Sequence, residues 1–156
     1  MQEIIQKTLY DLEEEYNIQI LFAGESGSRA WGFASPDSDY DIRFIYRHPR
    51  EWYLKLFPQK DVIDRMLPME QDVGGWDLRK TLQLFAKSNI ALYEWLNSPM
   101  IYRADDSFHK ELQDLVPKFF NPKRAMFHYL SLAQNTYENH LQDEKVKIKK
   151  LFYFIR

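Results

Sequence analysis

Residues 24–46 read GESGSRAWGFASPDSDYDIRFIY. A Gly-Ser-Arg tripeptide, Gly27 to Arg29, stands near one end, and two acids, Asp39 and Asp41, flank Tyr40 near the other. The flanks decide what kind of fold holds this stretch. IQILFAG, Ile18 to Gly24, is short, apolar and closed by glycine, as a buried strand is. Gly24 and Gly27 bracket a turn, SRAW is long enough for one helical turn, and ASPDSD has the Pro36 and Asp content of a loop. YDIRFIYR, Tyr40 to Arg47, then alternates as a second strand.

Working outward, Ile4, Ile5, Thr8, Leu9, Leu12 and Tyr16 keep a helical period that Asn17 can end. Downstream, Pro49 opens a short helix through Phe57, and DVIDRML and MEQDVGGW supply two further strands. Leu78, Leu82, Phe85 and Ala86 give the next helix an apolar side, with Asp77 placed to cap it. IALYEWL forms a helix after Ser88-Asn89, and SFHKELQDLV another that ends near Pro117. Asn121-Pro122 starts a helix running to about His140, and VKIKKLFYFIR is the last helical stretch. One helix, a small sheet and then helices alone make an α+β domain followed by a helical portion. Phe152, Phe154 and Ile155 keep the chain apolar up to Arg156, so either a continuation or packing of this helix elsewhere is expected.

The composition narrows the chemistry. Of 156 residues 45% are apolar and 16% aromatic, enough for a core. A net charge of −2 excludes a global basic field, so a polyanion site must be a local patch. With no cysteine there is no disulfide framework, thiolate zinc site or cysteine nucleophile, which fits a cytoplasmic protein. No apolar run is long enough to span a membrane, and the first residues carry acids rather than a signal peptide's apolar core.

Within the opening stretch, Asp39 and Asp41 are two residues apart on a strand and share a face. Like charges that close resist ionising together, and a hard divalent cation resolves the conflict. Mg²⁺ typically takes one or two carboxylates and completes its shell with water and substrate phosphates. The Gly27-Ser28 turn supplies the complement: glycine lets backbone N–H groups approach a phosphate, Ser28 adds a hydroxyl and Arg29 a fixed charge. The competing readings are ordinary. Asp37 and Asp39 suit Asx-turns, Arg29 suits a surface charge, and Trp31 suits packing. His48, His109, His128 and His140 show no metal-ligand spacing.

Gly27-Ser28, a ten-residue spacer and then Asp39-Tyr40-Asp41 resemble the signature of the DNA polymerase β-like nucleotidyltransferases. The blocks GSRAWGFASPDSDYDIRFIY, GWDLRK, KSN, EWLNSP and KKLFYFIR resemble one bacterial and phage branch, the RNA-ligase-associated nucleotidyltransferases of RNA repair, over nearly the whole chain. The resemblance implies a polymerase-β-like core, a small mixed sheet flanked by helices, as a catalytic domain over residues 1–104, with a helical C-terminal region over 105–156. It implies an NTP such as ATP as substrate, Mg²⁺ or Mn²⁺ as cofactor, and transfer of a nucleoside monophosphate to a hydroxyl with release of pyrophosphate. The acceptor it implies is an RNA end, and the protein partner an RNA ligase or other repair protein.

The family pattern also implies a third acid from a later strand. Asp72 is favoured, Asp77 stands in the GWDLRK block but doubles as a helix cap, and Glu70, two residues before Asp72, is a weaker option. Asp39 and Asp41 with Asp72 or Asp77 would bind the metals, and Gly27, Ser28, Arg29, Lys87 and Lys150 would contact the nucleotide. Lys145, Lys147, Lys149 and Lys150 form a basic run that reads as a solvated helix face or as an RNA contact. Two alternatives remain open: a non-catalytic nucleotide-binding or antitoxin-like module, and a transferase acting on protein or small-molecule hydroxyls.

Overall fold

The computed structural model describes residues 1–142, 146 and 148–155. Helix α1 (Gln2–Tyr16) ends at Asn17, whose left-handed backbone (φ 49°) turns the following N–H, that of Ile18, back onto the Glu13 carbonyl at 3.1 Å. There follow β1 (Gln19–Ser26), the single turn α2 (Gly27–Ala30), β2 (Tyr40–Arg47), α3 (Arg50–Tyr53), β3 (Val62–Leu67), β4 (Gln71–Asp77), α4 (Leu78–Ala86), α5 (Ile90–Leu96), β5 (Ile101–Ala104) and α6 (Asp106–Phe119). The strands form one five-stranded sheet in the order β3-β4-β2-β1-β5. It is mixed: β2 and β4 run parallel, and the other pairs are antiparallel.

Strand alternation sends apolar side chains to both faces. Ile42, Phe44 and Tyr46 of β2 and Val73 of β4 meet Ile5, Leu9 and Leu12 of α1 on one face. Ile45 and Phe22 meet Phe85 of α4, Leu92 and Leu96 of α5 and Leu112 of α6 on the other. A sheet buried on both sides explains why β2 reads as nearly continuous apolar sequence after Arg43.

Several boundaries differ from the sequence expectation. The first strand runs on through Glu25 and Ser26, because both pair with β2. The short helix stops at Tyr53 instead of Phe57. Strand β5 is an added element: IYRA is four residues at the sheet edge and too short for a period to show. Helix α6 carries Pro117 inside its last turn and ends at Phe119.

The chain divides into two compact units, Met1–Phe119 and Phe120–Arg156. The break follows Phe119 rather than Ala104 because α6 buries Leu112 in the core of the first unit. The second unit contains α7 (Pro122–His140), capped by the Asn121 side chain on the Lys123 and Arg124 N–H groups, and α8 (Ile148–Ile155). Tyr137 and Phe154 bring the two together, with ring centroids 6.1 Å apart.

Candidate active site

Asp41 is the second residue of β2, and the parallel register pairs it directly with Asp72, the second residue of β4. In-register neighbours point the same way, so the two carboxylates face each other on the side of the sheet that carries α4 and α5. Both are partly exposed, at 24% and 28%. One guanidinium nitrogen, Arg43 Nη2, donates to Asp72 Oδ2 at 2.6 Å and to Asp41 Oδ1 at 3.3 Å. Burial raises the Asp41 carboxyl above its ordinary value; Arg43 pulls it down, and the neighbouring Asp72 and Asp39 push it up.

The Gly27 turn lies against the same acid. Gly27 has φ +63°, and a Cβ there would stand 2.0 Å from Asp41 Oδ2. Only glycine supplies both the left-handed backbone and the empty space, so the turn and the carboxylate are in direct contact. Ser28 is buried beside it. Arg29 is engaged with the chain: its Nε donates to the Asp39 carbonyl at 3.1 Å, its Nη2 to the Ser38 carbonyl at 2.6 Å, and its guanidinium lies 3.9 Å from the Tyr40 ring centroid. It thereby anchors the loop that leads into β2. That loop turns through Ser35 and Ser38, whose hydroxyls bond each other at 3.0 Å while the Ser38 N–H reaches the Ser35 carbonyl.

Asp39 is exposed and immediately precedes β2, so it adds negative potential at Asp41 from outside the strand. Among the described residues, no three His, Cys, Asp or Glu side chains gather into a set that would hold a metal. The site thus has two facing carboxylates, Asp41 and Asp72, with Asp39 beside them. That pair fits a divalent cation, since one positively charged nitrogen already lies within hydrogen-bonding reach of both. Mg²⁺ commonly takes only one or two carboxylates.

Asp77 takes the other role foreseen for it. It is fully buried, accepts from the Arg79 N–H at 2.8 Å as the cap of α4, and accepts from the Tyr53 hydroxyl at 2.6 Å. It lies five residues beyond Asp72, roughly 16 Å along the strand and opposite in parity. The structure does not bring it to Asp41. Glu70 also falls outside the site's strand face: it sits in the turn before β4 with φ 57°, and its carbonyl accepts the Tyr40 N–H at 2.8 Å. Lys87 is an exposed residue that closes α4. Lys150 belongs to α8 in the second unit, and Lys145 and Lys147 lie outside the described residues. Trp31, read as packing, is 37% exposed.

Two participants escape the sequence reading. Arg43 follows Asp41 by two strand positions, so the same periodicity that pairs the acids places it on their face. Glu25 is 1% exposed and accepts from the Asp41 N–H at 2.8 Å and from the Tyr102 hydroxyl. Burial raises its carboxyl above the ordinary value, while the hydrogen bonds from Tyr102 and Asp41 oppose the shift. Ending the strand at Gly24 hides this acid.

The site's frame is thus an acid from each of two parallel strands, with a glycine turn packed on one of them. The chain belongs to the RNA repair pathway DNA polymerase beta family, whose family model matches residues 1–156. It is 44% identical over 156 residues to the uncharacterized protein YcgL of Bacillus subtilis (strain 168), a match covering 100% of this chain and 60% of that relative. The chain therefore spans about three fifths of the relative's length. No solved structure matches it. Among the described residues no helix is long and apolar enough to cross a membrane.

Proposed function

We propose that the chain is a metal-dependent nucleotidyltransferase with a polymerase-β-like core, moving a nucleoside monophosphate from an NTP such as ATP to the hydroxyl of an RNA end and releasing pyrophosphate. The observation that carries this reading is the in-register Asp41–Asp72 pair with the Gly27 turn against it. The family's RNA-repair designation supports RNA as acceptor. Asp41 and Asp72 would hold Mg²⁺ or Mn²⁺, with Asp39 beside them. The ion supplies Lewis-acid activation of the attacking hydroxyl and neutralises charge on the departing pyrophosphate. Gly27 and Ser28, with Arg29 adjoining, receive the triphosphate, and Lys87 is assigned a contact to the nucleotide. Glu25 fixes the main chain of Asp41 by accepting its N–H. An RNA ligase or another repair protein is the proposed partner, in the cytoplasm.

Incubation with labelled NTPs, Mg²⁺ and either short RNA or protein tests the assignment. Label should appear on the RNA end, with pyrophosphate released, and Asp41→Asn should abolish it. Label on protein instead would move the acceptor to a protein hydroxyl. No transfer to either, with NTP still bound, would favour the non-catalytic nucleotide-binding module.

A further inference from the structure

Arg43 is the cation that the fold places between Asp41 and Asp72. Besides the two bonds from Nη2 to the carboxylates, its Nη1 donates to the main-chain oxygens of Asp72 at 2.9 Å and Ile42 at 3.3 Å. The berth is built into the sheet. Arg43 stands opposite Gly74 in the parallel register, and a Cβ on Gly74 would lie 3.3 Å from both Cδ and Nη1 of Arg43. Bare backbone at that position leaves the arginine stem its room. The side chain is 20% exposed, so one path out of the berth leads to solvent.

We propose that Arg43 is an internal counter-cation that competes with the divalent metal for the Asp41–Asp72 pair, so that metal binding requires its guanidinium to swing away. The inference rests on the metal-dependent reading given above. A divalent cation held by both carboxylates would draw on the oxygens that Nη2 now engages. A guanidinium offers only donors and cannot be deprotonated in a protein, so it must yield by moving. Two carboxylates balanced by one arginine keep a residual negative charge, and that residual charge draws the stronger cation in. An arginine that merely supported the acids from outside would act oppositely: its removal would weaken metal binding.

Titration with Mn²⁺, followed through the paramagnetic resonance of the free ion, separates the two cases in the wild-type chain, Arg43→Gln and Arg43→Lys. Arg43→Gln should bind Mn²⁺ about tenfold tighter or more, the factor that one charge-assisted hydrogen bond supplies. Without metal it should melt below the wild type, and it should gain more on adding Mn²⁺. Arg43→Lys keeps the charge but loses the fork and should fall between; if Arg43→Gln does not fold, Arg43→Lys against wild type decides. Equal or weaker Mn²⁺ binding in the folded variants would overturn the competition and leave the metal reading standing. No Mn²⁺ binding in any of the three chains would overturn both.

Discussion

Asp41 is held from three sides: Glu25 takes its N–H, Gly27 presses on its carboxylate, and Arg43 bonds the opposite oxygen. The Gly27 contact can be measured as a coupling. Gly27→Ala would force a left-handed alanine, costing about 1–2 kcal/mol, and would drive its Cβ into Asp41. The double variant with Asp41→Ala removes the second penalty but not the first. It should therefore be more stable than the sum of the single changes predicts, by roughly 0.5–3 kcal/mol in chemical denaturation; strict additivity would show that the two residues do not press on each other. Glu25 carries a pH signature. Its folded carboxyl is held above the ordinary 4.5, so from about that pH upward the native state retains a proton that the unfolded chain has lost. Stability must then fall as pH rises through this window, and Glu25→Gln removes the effect. The melting temperature of the variant minus that of the wild type should be flat below pH 4.5 and climb above it. A difference that fell with pH would mean that the hydrogen bonds from Tyr102 and Asp41 outweigh burial.

At the scale of elements, β4 decides which acids meet. Asp72 and Asp77 are five residues apart, an odd number, so one strand cannot present both to the same face. Asp72→Asn should abolish transfer with little loss of stability, since its carboxylate is partly exposed and faces another acid. Asp77→Ala should do the reverse. It removes the cap of α4, worth about 0.5–2 kcal/mol, and strands the Tyr53 hydroxyl for about 1 kcal/mol more. Turnover per folded molecule and an unfolding midpoint, measured on both variants, check the pair; an inactive but fully stable Asp77→Ala would reverse the assignment. The same element shows what the sequence can and cannot convey. MEQDVGGW is legible as a strand and Asp77 as a cap, because strand alternation and capping are local properties. That Asp72 faces Asp41 depends on β2 and β4 being parallel neighbours with β3 outside them, a pairing of segments some thirty residues apart that no local period encodes. Glu70 misleads for a local reason as well: a left-handed turn at Met69 and Glu70, without glycine or asparagine, gives no warning in the sequence.

For the whole molecule the question is how a chain of net charge −2 would hold an RNA end. Only local patches can do it, and among the described residues the second unit offers two basic groups. Lys123 and Arg124 occupy the first turn of α7, and Lys149 and Lys150 lie on α8. Lys150 is set aside because the family resemblance implies a nucleotide contact for it. If the others neutralise phosphates of single-stranded RNA, removing one such cation should reduce the slope of log affinity against log salt by about 0.7. Lys149→Glu should therefore flatten the slope by about that amount, and adding Lys123→Glu should flatten it again. NTP affinity should stay nearly unchanged in both, because neither Lys123 nor Lys149 is among the residues assigned to the nucleotide. Affinity for a short RNA at several salt concentrations, alongside calorimetry with a non-hydrolysable NTP, reads both quantities. A slope unmoved by either change would exclude these helices as the RNA-binding surface. A fall in NTP affinity together with RNA affinity would mean instead that the substitutions act on more than an RNA contact.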